Sequence, residues 1–250
     1  MSASKNLEYE KTSFLNKSNS AFIERMYLKF VNKDTDLPES WKDYFTGIGD
    51  ELALGILQSV GKELGVQTIT DIHESHETDL VAKYVDNIQI PAFLCRQTEL
   101  LLAAGRTGKG VNIKKGQFLS PEAMLFPLEK VRSTGNEKVW LTERGNSFGY
   151  TDLIVDATAI TRLKALGAFT IMDCTHAVQK PNKTEGVTGG DPSMIETVAL
   201  SAAATGADGF FMEVHPDPKT AKSDPHTMLQ LDKLEGILTK AMNIRQALNA

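Results

Sequence analysis

The chain has 250 residues, of which 41% are hydrophobic and 24% charged, a length and composition suited to one α/β barrel or one to two smaller domains with a buried core. The net charge of -5 argues against broad binding to nucleic acid or anionic membranes, while leaving room for a local basic pocket that takes phosphorylated substrates. Two cysteines give no disulfide framework, and no apolar run of membrane-span length or signal peptide is read in the sequence, so a cytoplasmic enzyme or binding domain is expected.

Phe22, Ile23, Met26, Tyr27 and Phe30 recur at helical spacing and predict an amphipathic helix, with Asn19 or Ser20 as cap and Glu24 in its first turns. Pro38 is placed to open a second short helix through Trp41, Tyr44 and Phe45, which Gly47 and Gly49 are expected to interrupt. Residues 53–64 then read as a helix stopped by Gly65. Beyond it, short apolar strand candidates at 66–72, 87–93, 111–115, 138–142, 169–172 and 209–214 alternate with helical segments at 77–84, 97–107, 121–133, 154–166 and 194–205. A last helix is predicted over 231–248. Such alternation implies a parallel sheet with right-handed crossovers, either an open doubly wound sheet or a barrel.

The ends of the strand candidates favour the barrel. Asp71 and His73, Gln89 and Arg96, Lys114 and Lys115, Glu143 and Arg144, Asp173 and His176, and Glu213 and His215 each follow or close one of them. Barrel active sites are assembled from that face, whereas an open sheet concentrates its chemistry near one switch point. Lys114, Lys115 and Arg144 suit an anion: arginine offers a bidentate fork and lysine a point charge. Neighbouring strand residues point to opposite faces, so only one of the two lysines need face the barrel mouth. His176, Glu213 and Asp224 could together hold a divalent ion through nitrogen and oxygen, and Cys174 reads as a small core residue. His73–Glu77 lacks the spacing of a helical zinc-protease motif, Gly105–Gly110 lacks P-loop spacing, and Gly186–Asp191 fits a turn or a substrate loop better than a dinucleotide fingerprint.

The strings TDIHE, NIQIPAFLCRQTELL, TGKGVNIKKGQF, GNEKVWLTERGNSFGY, DCTHAVQ, TGG and FFMEVHPDPKTAKSD occur in that order. From about residue 54 to 250 the chain resembles the 3-deoxy-D-manno-octulosonate 8-phosphate synthases. The resemblance implies a TIM (β/α)8-type barrel that joins phosphoenolpyruvate to arabinose 5-phosphate in the biosynthesis of the Kdo sugar of lipopolysaccharide. It also implies that Lys114, Lys115 and Arg144 hold phosphoenolpyruvate, with Gln89, Arg96, Gln117 and His73 completing the pocket and His176 taking part in catalysis. His176, Glu213 and Asp224 match the family's metal positions, for zinc, iron or manganese, with no organic cofactor. A homo-oligomer is expected, and neither nucleic acid nor membrane as partner.

Two departures qualify that resemblance. No strand with the family's first metal ligand precedes residue 54, and Lys11–Ser20 (KTSFLNKSNS) is the nearest counterpart of the loop that binds both substrates. Residues 13–45 instead resemble the N-terminal helical segment of the decarboxylating component of 2-oxoglutarate dehydrogenase, a region that docks a partner subunit. The expected division is a helical segment at 1–52 and a barrel domain at 53–250 that is incomplete, with six strands and exposed edges at both ends. Slowed turnover follows from that, and the alternative is a non-enzymatic fusion fragment whose helices dock a partner.

Overall fold

A computed structural model describes residues 20–148, 152–181 and 188–248 of the chain. The chain divides into two compact units, Met1–Glu63 and Leu64–Ala250.

In the first unit, α1 (Ser20–Val31) and α2 (Glu39–Leu64) are joined by a short turn in which Lys33 takes a left-handed φ of 58°. Met26, Leu37 and Phe45 are buried together, with Phe30, Trp41 and Tyr44 packed around them. Phe45 is the hub: its ring lies 5.3 Å edge-on from Tyr27 and 5.5 Å from both Phe30 and Trp41. Pro38 precedes α2, and its carbonyl accepts from the amides of Trp41 and Lys42, which would otherwise be orphaned in the first turn. The predicted cap Asn19 and the string Lys11–Phe14 lie outside the described residues. The two helices predicted on either side of Gly47 and Gly49 are one continuous 26-residue helix. Each glycine costs only about 1 kcal/mol relative to alanine in a helix interior, which a long hydrogen-bonded ladder absorbs. The predicted domain boundary at 52–53 therefore falls inside α2, which ends one residue before Gly65, whose φ of 65° is the left-handed conformation typical of a helix stop.

The second unit is built on six parallel strands: β1 (Ile69–Asp71), β2 (Asn87–Ile90), β3 (Gly110–Lys114), β4 (Val139–Glu143), β7 (Phe169–Asp173) and β10 (Gly209–Phe211), hydrogen-bonded in that order. All six arise where strands were predicted, and among the described residues no seventh strand joins them. The sheet thus ends in β1 and β10, the two strands expected as edges. Three two-stranded ribbons supplement it: β5 (Asn146–Phe148) with β6 (Asp152–Ile154), β8 (Gln179–Lys180) with β9 (Gly189–Gly190), and β11 (Val214–His215) with β12 (Leu229–Gln230).

Helices α3 (Thr78–Val81), α4 (Thr98–Arg106), α5 (Leu125–Arg132), α6 (Ala159–Lys164), α7 (Ile195–Ala204) and α8 (Leu234–Leu248) fill the crossovers and the C-terminus. Their apolar faces cover the sheet: Leu100, Leu101 and Ala104 of α4, and Leu128 and Val131 of α5, are buried with Ile88, Ile90, Val111, Ile113 and Leu141 of the strands. Each leucine, isoleucine or valine among them contributes about 1.5–3 kcal/mol on burial. Under β7 and β10, Met172, Cys174, Ile195, Ala199 and Ile237 form a further cluster, so Cys174 is the core residue expected of it.

Two predicted elements differ. The helix expected over 154–166 is shorter, because 152–154 pairs antiparallel with 146–148 instead. The strand expected over 209–214 splits after Phe211. The Glu213 amide donates to Thr175 Oγ1 at 2.8 Å and its carbonyl accepts from Leu229, which turns the chain out of the sheet and into the β11–β12 ribbon.

Candidate active site

The C-terminal ends of β1, β2, β3, β4, β7 and β10 surround an open cavity of about 510 Å³. It is lined by Asp71 and Gln89, by Lys114 and Arg144, and by His176, Gln179, Phe211, Glu213 and Asp224. The strands place these groups by register. Lys114 closes β3 opposite Thr142 of β4, and Phe211 of β10 lies beside Asp173 of β7. Beneath the cavity a polar ladder crosses three strands: Thr142 Oγ1 donates to Asn112 Oδ1 (2.6 Å), and Asn112 Nδ2 donates to Gln89 Oε1 (3.0 Å). The ladder satisfies polar groups that burial would otherwise leave costly, and orients the Gln89 amide.

Asp173 organises one side. Its carboxylate is fully buried, 2.8 Å from Lys114 Nζ and 2.7 Å from His176 Nδ1, and it accepts from the amides of Thr175 and His176. Burial alone would raise its pKa. The hydrogen bond from His176 and the charge of Lys114 outweigh that and hold it at about 2. Lys114 Nζ also sits 3.8 Å from the centroid of the Phe211 ring, a cation–π contact.

Opposite lies the metal-type cluster. His176, Glu213 and Asp224 each offer a ligand atom, all within 4.8 Å of one another. Asp173 engages Nδ1 of His176 and so directs Nε2 toward Glu213 Oε1, 3.2 Å away, an arrangement in which a carboxylate fixes the tautomer of a metal-binding histidine. Burial opposes protonation of that ring, but its bonds to Asp173 and Glu213 prevail and raise its pKa. Glu213 Oε2 is buried with no hydrogen-bond partner among the described residues. An unsatisfied carboxylate oxygen beside a histidine and a second carboxylate fits a divalent cation by donor type and by spacing. Asp224 is held in a left-handed turn, φ 46°, by bonds from Thr227 and Met228 to its carbonyl.

Gln179 joins the two sides. Its Oε1 accepts from the Arg144 guanidinium, which also donates to the His176 carbonyl at 3.3 Å, and its Nε2 donates to Asp224 Oδ1 at 3.2 Å. One chain of hydrogen bonds thus runs from Arg144 to the metal-type cluster.

Of the predicted site residues, Gln89, Lys114, Arg144, His176, Glu213 and Asp224 converge on this cavity. Lys115 does not: its side chain is fully buried and turned to Glu143, on the opposite face of β3 from Lys114, as strand alternation requires. Arg96 is exposed in a separate groove with Lys130 and Phe126. Gln117 anchors the β5 ribbon, its carbonyl accepting from Ser147. His73 is an exposed neighbour of Asp71, its Nε2 3.7 Å from that carboxylate, and does not line the cavity. Within the string Gly186–Asp191, residues 186 and 187 lie outside the described residues, and Thr188 lines the cavity. Sequence reasoning missed the parts played by Asp173, Gln179 and Phe211. Only Asp173 left a readable signal, an acid three residues before His176 at a strand end.

The profile of the DAHP synthetase I family matches residues 16–250. The chain is 49% identical over 196 residues to the 2-dehydro-3-deoxyphosphooctonate aldolase of Brucella abortus (strain S19), an alignment covering 78% of this chain and 71% of that protein. It is 47% identical over 206 residues to the protein of the same name from Koribacter versatilis (81% and 74%), and 48% identical over 196 residues to that from Brucella melitensis biotype 2 (78% and 71%).

Proposed function

Because the chain belongs to the DAHP synthetase I family, we propose that it condenses phosphoenolpyruvate with D-arabinose 5-phosphate, giving 3-deoxy-D-manno-octulosonate 8-phosphate and phosphate. The observation that carries this reading is the placement of Lys114 and Arg144 on one cavity with the cluster of His176, Glu213 and Asp224. In the reaction the methylene carbon of phosphoenolpyruvate bonds to the sugar aldehyde carbon. Water adds to the adjacent carbon, and phosphate departs by carbon–oxygen cleavage.

The chief obstacle is electrostatic, since two anionic substrates must meet. Lys114 and Arg144 are anchored before substrate arrives, by Asp173 and Gln179, so they offer positive charge with little reorganisation. Arg144 suits the carboxylate or phosphate as a fork, and Lys114 suits it as a point charge. The Phe211 ring excludes water from one wall and strengthens these attractions. Asp71 at the rim keeps an acceptor available for a sugar hydroxyl. His176, Glu213 and Asp224 would hold a divalent ion, which when bound would polarise a carbonyl or position water. The docking-module alternative has no comparable support, because the family match begins at residue 16, ahead of α1 and α2.

The test is phosphate release. Release that requires both substrates together is expected, and its rate beside an intact synthase reads out the slowed turnover anticipated from the sequence. A folded sample that neither binds phosphoenolpyruvate nor releases phosphate would reject the proposal. For the metal, chelator-treated protein reloaded with zinc or manganese is expected to take up one ion, and His176→Ala to weaken uptake by at least about a hundredfold. Tight one-to-one binding that survives His176→Ala, measured by metal analysis, would reject this ligand set.

A further inference from the structure

We propose that Lys115 and Glu143, neither of which faces the cavity, are positioning residues: a buried ion pair that sets the backbone at Arg144 and Gly145 and so aims the Arg144 guanidinium at the substrate anion. The catalytic consequence rests on the function proposed above, whereas the positioning itself does not.

Both side chains are fully buried, with Lys115 Nζ 3.5 Å from Glu143 Oε1. The ammonium is ringed by oxygens: Asn146 Oδ1 at 2.8 Å, the carbonyls of Gly116 and Leu119 at 3.2 Å, and that of Gly145 at 3.4 Å. These acceptors come from the loop after β3 and from the turn that leads from β4 into β5, so a single cation ties the two together. On the acidic partner, Glu143 Oε1 accepts from two successive backbone amides, Arg144 at 3.1 Å and Gly145 at 2.7 Å. Gly145 adopts φ 86°, a left-handed conformation that glycine takes without steric cost. The backbone direction at Arg144 is therefore set by the carboxylate, and the carboxylate is set by Lys115. Arg144 then needs only its own rotamer to reach Gln179 and the His176 carbonyl.

Stability alone is a weak reason for such a pair. Two charges must be stripped of water, and burial pulls Lys115 toward its neutral form and Glu143 toward its protonated one. Apolar residues of similar volume would often serve the fold as well. What they could not do is gather the Arg144 and Gly145 amides onto one acceptor.

The test uses the full chain with Lys115→Met/Glu143→Leu, an apolar replacement of the pair, and with Glu143→Asp, which keeps the charge but withdraws the acceptor by one methylene. Should the double variant fail to fold, Glu143→Asp carries the test. The first readout is the Arg144 Nε–H resonance of the ligand-free protein, identified by its loss in Arg144→Ala. It is expected to move toward the position of solvent-exposed arginines in the variants and to stay near the parent position in Lys115→Arg, which keeps the cation. The second is phosphoenolpyruvate binding by calorimetry, expected to weaken by about tenfold or more, with no further loss when the pair is replaced in the Arg144→Ala background. A folded variant with an unmoved Arg144 signal, or a binding loss that simply adds to that of Arg144→Ala, would overturn the proposal. If the unsubstituted protein binds no phosphoenolpyruvate, it is the functional reading that fails, and the resonance still decides the positioning.

Discussion

Asp173→Asn is expected to lower stability by about 3 kcal/mol and metal affinity by about ten- to a hundredfold. The substitution keeps the shape but removes the counter-charge of Lys114, whose ammonium lies 2.8 Å away on a side chain only 7% exposed. It also weakens the acceptor that holds His176 Nδ1 at 2.7 Å, and with it the alignment of Nε2 toward Glu213. A signature in acid accompanies this. Asp173 titrates at about 2 in the folded chain, below its ordinary value of 3.8. A depressed carboxylate binds its proton less readily when folded than when unfolded. The stability it contributes, roughly 2 kcal/mol, is therefore fully present above about pH 4 and lost as pH falls toward 2. Denaturant unfolding at pH 6, 4 and 2.5 is expected to show that loss in the parent chain, and a correspondingly smaller one in Asp173→Asn. Equal acid sensitivity in both would mean that Asp173 is not the group that titrates.

Arg144→Ala is expected to weaken phosphoenolpyruvate binding by about a hundredfold while leaving the melting transition nearly unchanged. Truncating one member of a desolvated charge pair costs about 2–5 kcal/mol of binding, because the partner anion is left without its fork. The fold should tolerate the change, because Gln179 and the His176 carbonyl lose one donor each but both lie on the cavity wall, where water can replace it. Lys114 remains, held by Asp173, so residual binding should persist and should weaken with added salt. Calorimetry at two ionic strengths checks both statements. Binding by Arg144→Ala as tight as by the parent chain would remove Arg144 from the anion site.

Much of the architecture was legible in local patterns. A short apolar run such as GVNIK, bounded by glycine and polar turns, announces a buried parallel strand because both faces of the strand are covered. The helical spacing of Met26, Tyr27 and Phe30 announced α1, whose aromatic partners wait in α2. The polar residues at the strand ends pointed to one shared face, and six of them or their neighbours do converge there.

The amino-acid sequence by itself thus determined the six strands and their parallel sense, which reside in apolar runs and their alternation with helices, and its strand-end strings carried the resemblance to the family. Only the tertiary structure decided which lysine serves the cavity, because Lys114 and Lys115 are equivalent in sequence until a sheet gives β3 two faces. Likewise Asp173 and Gln179 acquire their parts from Lys114, Arg144 and Asp224, partners up to 59 residues away for Asp173 and 45 for Gln179, and no local pattern records such pairings. The same holds for the break after Phe211: its cause is a hydrogen bond from Glu213 to Thr175, 38 residues earlier, which outcompetes the local preference of 209–214 to continue as one strand. Where burial and long-range pairing choose between conformations that local propensity leaves nearly equal in energy, the folded context makes the choice.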